Sequence, residues 1–416
     1  MTFKFISRAY IVTTFNDYEK KNRWDNIYRK LYYETKKQES EMELSYDEAM
    51  TDVNFVKNRY QNVLPFDQNR VKLKTRKNGE TDFINASPLK IPFANRDYIL
   101  SQGPLDTTSG DFWQMIWEQN TRIIVMLNNV YEKGSMKCFP YFSTEDEKEK
   151  TFGDFKIHLD EETGTEIFRI RTMTLTATDP IHIEDGQTNQ RTIHHFQFID
   201  WPDFGVPSET ESFLDFCQHV SDSEEKLRKE ETFSPVVVHC SAGIGRSAGI
   251  GRSGAFVVVD SLLNYFQKQK TNHSEINQEI DGNNEIHVPA TLEEFVLQIR
   301  KYRTGLIQTP EQLRFCWQSL NDWIKSNPDD DEPQQQPAEI LPRKRQSTSE
   351  SIEIRNRKQK IQEMREKLRK VEEYKNKWYR RWLDDDQKRF WVKSSLIAFG
   401  AVLATYVYTC YISKNE

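Results

Sequence analysis

The sequence predicts an α/β domain with a twisted mixed sheet flanked by helices, followed by a helical tail and one C-terminal transmembrane helix. Strand-like runs alternate with segments of helical periodicity between about residues 20 and 326. The hydrophobic content of 37%, with 25 Phe, 17 Tyr and 9 Trp, is enough for a packed core and excludes a wholly disordered or fibrous chain. A stretch without charges at residues 394–412 predicts the transmembrane helix.

The individual elements follow from two periodicities, alternation for strands and 3–4 spacing for helices. The clearest predicted strands are residues 122–127, 166–176, 192–199 and 235–239. The clearest predicted helices are residues 111–120, 211–219, 256–266, 292–302 and 310–325. His194 and His195 fall within the third strand, and we interpret them as ordinary strand residues.

Charge and cysteine content argue against a disulfide-rich protein and against a general nucleic-acid-binding protein. The five cysteines of the 416 residues are scattered and odd in number, which argues against a disulfide framework and favours a reducing compartment. The net charge of −6 predicts no general affinity for nucleic acid. Positive charge is concentrated in residues 343–393, which hold 18 Lys and Arg against 9 Asp and Glu, a balance of +9.

Changes in composition divide the chain into five predicted segments. Residues 1–19 are an N-terminal extension, 20–326 the catalytic domain, 327–349 a disordered linker rich in Pro and Gln, 350–393 a basic helical stalk and 394–412 a membrane anchor. The stalk has apolar residues at helical spacing. Two interpretations of it stay open, a solvated helix near anionic headgroups and a helix that forms a dimer.

The predicted anchor has the length of one membrane crossing. Its 19 uncharged residues would span roughly 28 Å as a helix, about the thickness of a hydrocarbon core. Lys388, Arg389 and Lys393 precede it, so the positive-inside rule places the N-terminal part in the cytosol. The sequence thus predicts a chain held on the cytosolic face of a membrane.

The chemistry is expected where the last predicted strand meets a glycine-rich loop. Residues 235–239 read as a strand buried on both faces, and Cys240 follows it directly. A loop of small residues before a helix directs several backbone N–H groups toward one point, which suits a phosphate. Such a site should lower the pKa of Cys240 and make it a nucleophile, while Arg246 offers a planar fork to phosphate oxygens.

Two other interpretations of this loop are weaker. An inert core cysteine would pack poorly beside so many glycines. The glycines at 249, 251 and 254 also fit a dinucleotide-binding fingerprint, but no second strand ends in an acidic residue at the required distance.

Several further motifs, in order along the chain, resemble those of the classical protein tyrosine phosphatases. With the predicted anchor, the whole chain resembles the non-receptor members of that family that are held on the endoplasmic reticulum. The motifs are KNRY at 57–60, VLPFD at 63–67, DFINA at 82–86, QGP at 102–104, EKGSMKC at 132–138, WPDFG at 201–205, VHCSAGIGRS at 238–247 and QTPEQ at 308–312.

The resemblance implies hydrolysis of phosphotyrosine in proteins through a phosphocysteine intermediate. It implies that Cys240 is the nucleophile, that Asp203 is the general acid and base, and that Gln308 positions the hydrolytic water. Tyr60 would stack on the substrate ring. Gln312, also a substrate-binding residue, would assist Gln308 in positioning the water. The implied phosphate ligands are the loop residues Ser241, Ala242, Gly243, Ile244, Gly245 and Arg246.

Other residues would support the loop rather than contact the substrate. The resemblance implies this role for His239, Glu132, Lys137 and Ser247. It implies no metal and no cofactor, since backbone amides and arginine supply the positive charge. The expected partners are phosphotyrosine proteins and the endoplasmic reticulum membrane, with no nucleic acid. Two more arginines, Arg300 and Arg303, match family positions near the pocket, but as isolated residues we interpret them as surface charges.

One feature departs from the family, because the hexapeptide AGIGRS occurs twice in succession, at 242–247 and 248–253. Six extra helical residues would leave the following apolar face about 120° out of phase, so one copy must loop out. We favour Arg246 as the phosphate fork, because the residues directly after Cys240 set the curl of the loop. Arg252 is the alternative fork. The spacing would then be Cys-(x)11-Arg, which would leave Cys240 too far from the ideal arc of a phosphate-binding loop.

The repeat leaves three hypotheses open. The chain is an active tyrosine phosphatase, which is the favoured one. It is a catalytically impaired pseudophosphatase that binds phosphotyrosine proteins because of the duplicated segment. The third hypothesis is that the repeat is a duplication in the gene model, in which case the natural protein has one copy.

Overall fold

A computed structural model describes residues 5–74, 79–132, 134–183, 186, 188–202, 205–230, 234–240, 250–271 and 287–328. Its helices are α1 Arg8–Lys21, α2 Trp24–Glu41, α3 Asp47–Met50, α4 Asp52–Phe55, α5 Ser109–Glu118, α6 Glu211–Lys229, α7 Gly251–Thr271, α8 Leu292–Arg300 and α9 Pro310–Ser326. Its strands are β1 Ala86–Ile91, β2 Arg96–Gln102, β3 Ile123–Met126, β4 Tyr131–Glu132, β5 Ser135–Met136, β6 Glu149–Phe152, β7 Phe155–Gly164, β8 Phe168–Ala177, β9 Gln190–Phe198 and β10 Val236–Cys240.

Eight strands form one mixed sheet in the order β1-β2-β10-β3-β9-β8-β7-β6. The four central strands β2, β10, β3 and β9 run parallel, and the outer pairs are antiparallel. The remaining two strands, β4 and β5, make a small separate hairpin. The predicted mixed α/β class with a central sheet is therefore confirmed.

The two faces of the sheet are covered by different helices. The larger core lies under α1, α2, α6, α7, α8 and α9, and the second core lies under α5. Strand β10 contributes side chains to both cores, because Val236 and Val238 belong to the larger core and Val237 belongs to the second. This alternation is the pattern of a central parallel strand, and it holds Cys240 at the carboxyl end of the sheet.

The N-terminal residues belong to this packed body rather than extending from it. Helix α1 lies within residues 1–19 for most of its length, and it packs against α9. Ile6, Tyr10, Ile11 and Phe15 are all buried in the larger core.

The predicted stalk and anchor, residues 350–393 and 394–412, lie outside the described residues, as does the linker after Pro328. Among the residues that the structure describes, no helix is both long and apolar enough to cross a membrane.

Candidate active site

Cys240 ends the buried strand β10 and is itself only 1% exposed. Its carbonyl accepts a hydrogen bond from the Gly103 amide at 3.1 Å, which ties the QGP motif to the strand end. The Ser253 hydroxyl lies 3.4 Å from the Cys240 sulfur and donates to it. Ser253 stands in the first turn of α7, so the sulfur faces the N-terminus of that helix, the end that favours negative charge.

The pKa of the Cys240 thiol is raised above its ordinary value, where the sequence predicted a lowered one. Burial is the largest cause, since it disfavours the thiolate. The Ser253 hydroxyl, the positive charge of Arg252 and the backbone N–H groups of both residues act in the opposite direction but are outweighed. The expectation failed because the sequence suggested the anion-stabilising amides but not the depth at which the sulfur is buried.

Arg252 is held by three parts of the chain that surround the site. Its Nη1 donates to Glu132 Oε1 at 2.7 Å and to the Leu127 carbonyl at 3.0 Å. Its Nη2 donates to Glu132 Oε2 at 3.2 Å and to the Pro202 carbonyl at 3.1 Å. The pair with Glu132 is bidentate, and the Glu132 side chain is only 5% exposed. The predicted supporting role of Glu132 thus has a specific partner, Arg252.

Asp203, Arg246 and the loop residues 241–247 lie outside the described residues, so their predicted roles stay predictions. Among the described residues, Ser253 of the second AGIGRS copy contacts the Cys240 sulfur.

The predicted glutamines lie next to the start of α7. Gln312 is buried, and its Oε1 accepts a hydrogen bond from the Gln308 amide at 2.8 Å. Gly251 is so close to Gln312 that a Cβ on it would lie 2.5 Å from Oε1. The Gln308 side-chain oxygen is buried with no hydrogen-bond partner among the described residues, which leaves it able to bind a water.

The KNRY motif is held by the QGP motif and by α5. The Arg59 amide donates a hydrogen bond to Gln102 Oε1 at 2.8 Å, and the Arg59 guanidinium donates to the carbonyls of Gly103 and Pro104. Lys57 pairs with Asp111 of α5 at 3.0 Å. Tyr60 is partly buried against the larger core. These contacts fix the backbone that carries the Tyr60 ring.

His239 points away from Cys240, into the second core. Its Nε2 shares a hydrogen bond with the Tyr141 hydroxyl at 2.6 Å, and the same hydroxyl lies 2.9 Å from His195 Nε2. Burial lowers the pKa of His239 to about 3, so the ring stays neutral at physiological pH. His194 and His195 are strand residues, as predicted.

Lys137, for which the sequence predicted a supporting role, is largely buried, and its amide donates to the Val130 carbonyl at 2.8 Å.

Two arginines correct the sequence analysis, because Arg300 and Arg303 are 2% and 0% exposed rather than surface charges. Arg303 donates to Asn85 Oδ1 at 2.6 Å and to the Ser87 hydroxyl at 3.1 Å, which braces the DFINA motif. Burial lowers the pKa of Arg303 to about 10. The match of both arginines to family positions near the pocket was the available signal for this burial.

Sequence reasoning also missed Ser253 as a partner of Cys240 and Tyr141 as the partner of His239. The signal for Ser253 was available, since it repeats Ser247. Within the described ranges, no group of His, Cys, Asp and Glu residues is arranged to hold a metal ion.

Comparison with known proteins agrees with this geometry. The protein-tyrosine phosphatase family profile matches residues 54–322. The chain is 37% identical over 313 residues to human tyrosine-protein phosphatase non-receptor type 2, an alignment that covers 75% of this chain and 65% of the human protein. It is 35% identical over 308 residues to tyrosine-protein phosphatase non-receptor type 61F of Drosophila melanogaster, covering 74% of this chain and 50% of the fly protein.

The chain thus spans less than two thirds of the length of the human relative that it matches. The matched region nevertheless contains the whole of the site described above, from the KNRY motif to Gln312. The chain therefore carries a protein-tyrosine phosphatase domain and belongs to the protein-tyrosine phosphatase family.

Proposed function

We propose that the protein hydrolyses phosphotyrosine in other proteins through a phosphocysteine intermediate on Cys240. The observation that carries this proposal is the position of the Cys240 sulfur, at the end of a central parallel strand and against the N-terminus of α7, with a hydroxyl donating to it. A sulfur at this point can receive a phosphoryl group whose oxygens face backbone N–H groups and the helix dipole.

The proposed reaction has two displacements at phosphorus. In the first, the Cys240 thiolate attacks, an S–P bond forms, the P–O bond to the tyrosine breaks, and Asp203 gives its proton to the leaving phenolate. In the second, water attacks the phosphocysteine, Asp203 takes the proton, the S–P bond breaks and inorganic phosphate leaves with the thiolate restored. The Gln308 side-chain oxygen, which is buried and has no hydrogen-bond partner among the described residues, supports its role in holding that water.

The pseudophosphatase is the second candidate, and one observation favours it. Cys240 is buried, and burial raises the pKa of its thiol, which disfavours the thiolate that would attack phosphorus. A protein of this kind would bind phosphotyrosine through the same pocket without turning it over.

We further propose that the protein acts on the cytosolic face of the endoplasmic reticulum membrane, held by residues 394–412. Support comes from the sequence, in which 19 uncharged residues follow a segment with a balance of +9. In cells, the full chain should resist alkaline carbonate extraction and colocalise with that membrane, and a chain ending at residue 393 should not. A full chain released by carbonate would contradict the anchor.

The enzymatic proposal is tested by turnover of a phosphotyrosine peptide by the full chain, by Cys240→Ser and by a chain lacking residues 248–253. Activity in the full chain that disappears in Cys240→Ser supports the phosphatase. Activity only after the deletion supports the pseudophosphatase. Equal activity in the full chain and in Cys240→Ser, or no activity in either chain that retains Cys240, contradicts the phosphatase.

A further inference from the structure

We propose that Arg252, and not Arg246, binds the phosphate of the substrate, so that the working spacing in this protein is Cys-(x)11-Arg, with Ser253 as the hydroxyl that positions the nucleophile. The inference rests on the proposed function and assigns it to the second AGIGRS copy. The two copies are identical in sequence, and removal of either one gives the same chain. Only their places in the structure can distinguish them.

Arg252 already occupies the groups that would hold a phosphate-binding arginine. Both carboxylate oxygens of Glu132 bind Arg252, and so do the carbonyls of Leu127 and Pro202. The Glu132 side chain is 5% exposed, so it offers no face to a second arginine. Among the described residues, these contacts use Nη1 and Nη2 and none of them uses Nε. The Nε–H group, together with the Nη2–H that now binds Pro202, forms the edge that a phosphate can take.

Contacts beyond the repeat fix the register of α7. Asp260 accepts hydrogen bonds from Arg96 Nε at 3.1 Å and from the Tyr98 hydroxyl at 2.5 Å, and all three side chains are buried. Gly254 packs so tightly that a Cβ on it would lie 2.6 Å from the Ile307 nitrogen. A slip of six residues would turn the helix by roughly 120° and break these contacts. The helix therefore keeps Arg252 and Ser253 in its first turn.

Ser253 contacts the nucleophile directly. Ser253 is 1% exposed and its hydroxyl donates to the Cys240 sulfur. A hydroxyl in that position stabilises the thiolate over the thiol. Ser253 is thus a positioning residue for Cys240.

The test uses a matched pair of substitutions in the full chain, Arg252→Ala and Arg246→Ala, which remove the same side chain from the same hexapeptide. Loss of one preorganised anion-binding group costs about 10²- to 10³-fold in turnover. We expect a fall of that size in kcat/KM for Arg252→Ala and a fall at least about tenfold smaller for Arg246→Ala. A larger or equal loss in Arg246→Ala would overturn the inference.

A second measurement does not depend on turnover. Tungstate binds as a phosphate analogue without reaction, and its affinity can be measured by calorimetry on the same variants in the Cys240→Ser background. We expect Arg252→Ala to weaken tungstate binding by about 100-fold and Arg246→Ala to weaken it far less. If catalysis is absent in every variant, the phosphatase proposal fails, while the ratio of the two tungstate affinities still decides which arginine binds the anion.

A further pair of variants tests the assignment even if the arginine variants fold poorly. Ser253→Ala and Ser247→Ala are compared by the pH dependence of Cys240 alkylation with iodoacetamide. We expect Ser253→Ala to move the alkylation midpoint to higher pH and Ser247→Ala to move it less, because the hydroxyl that favours the thiolate belongs to Ser253. Equal midpoints in the two variants would contradict the assignment.

Discussion

Two helical glycines differ in whether their positions leave room for a side chain. Gly254 is in the first turns of α7, where a Cβ would lie 2.6 Å from the Ile307 nitrogen and 3.1 Å from the Leu306 carbonyl carbon. Both are backbone atoms, so neither can move without shifting the chain before Gln308. Gly110 is also helical, but the nearest atom to its Cβ position is 3.5 Å away. The same residue type is therefore obligatory at one position and replaceable at the other.

The expected result of Gly254→Ala is a loss of about 1–3 kcal/mol in the free energy of unfolding, because the added methyl group overpacks a backbone contact. Gly110→Ala should be neutral or stabilising by up to about 1 kcal/mol, since alanine favours a helix. Urea unfolding of both variants checks this. Equal stabilities would show that the contact between α7 and the Gln308 segment is looser than described.

At the scale of elements, a buried charged cluster joins β2, α6 and α7. Arg96 pairs with Glu224 at 2.5 Å and with Asp260 at 3.1 Å, and each of the three side chains is at most 5% exposed. Tyr98 and Ser221 complete the hydrogen bonding. Buried pairs of this kind are poor evidence of added stability, but the loss of one partner is costly, because a charge is left without compensation.

We therefore expect Asp260→Ala to lower the free energy of unfolding by about 3–5 kcal/mol. The matched surface pair is Lys156 with Glu149 at 2.7 Å, whose side chains are 42% and 53% exposed. Glu149→Ala should cost less than about 1 kcal/mol. Chemical unfolding of both variants measures the difference, and similar costs would mean that solvent reaches the cluster.

Helix α1 is a second element whose contribution can be measured. Ile11 is fully buried between α1 and the rest of the larger core, whereas Thr13 on the same helix is exposed. Ile11→Ala should destabilise the protein by about 2–5 kcal/mol, through lost burial and the cavity that remains. Thr13→Ala should change stability by less than about 0.5 kcal/mol. If Ile11→Ala proves neutral in thermal unfolding, α1 does not pack on the domain in solution.

At the scale of the whole molecule, burial of ionisable groups limits the pH range in which the fold is stable. Burial lowers the pKa values of His194, His195 and His239, the last to about 3. It raises the pKa values of the buried thiols, that of Cys138 to about 12. The folded chain thus holds fewer protons than the unfolded chain just below pH 6.5 and more protons above pH 9.0, the ordinary values of these groups.

Stability should consequently fall on both sides of neutrality. Below the ordinary pKa of histidine, each histidine with a lowered pKa reduces the free energy of unfolding by up to about 1.4 kcal/mol per pH unit. Above the ordinary pKa of cysteine, each thiol with a raised pKa reduces it by up to the same amount per pH unit. Unfolding free energies measured from pH 7.5 down to 5.5, and again from pH 8 to 10, check the two slopes. This acid range lies above the titration of ordinary carboxylates. A flat profile in either range would contradict the burial of the corresponding groups.

Much of this protein is determined by local sequence. The mixed α/β class, the strand that leads to Cys240 and the helices predicted at 211–219, 292–302 and 310–325 follow from periodicity and turn chemistry, because hydrophobic spacing is a local property. The structure has these helices at 211–229, 292–300 and 310–326, so the first is about twice as long as the periodicity indicated. The ordered motifs identified the family, and the comparison with known proteins agrees. The repeat was also evident in the sequence, but nothing in the sequence distinguishes two identical copies.

The tertiary structure decided the rest. It placed Arg252 and Ser253 at the nucleophile, because Asp260 and Gly254 hold α7 through residues distant in sequence. It buried Arg300 and Arg303, whose partners come from other parts of the chain. It raised the pKa of Cys240, since burial depends on everything packed around a residue. Local pattern identifies which chemistry is present, and only long-range packing places Ser253 against the Cys240 sulfur.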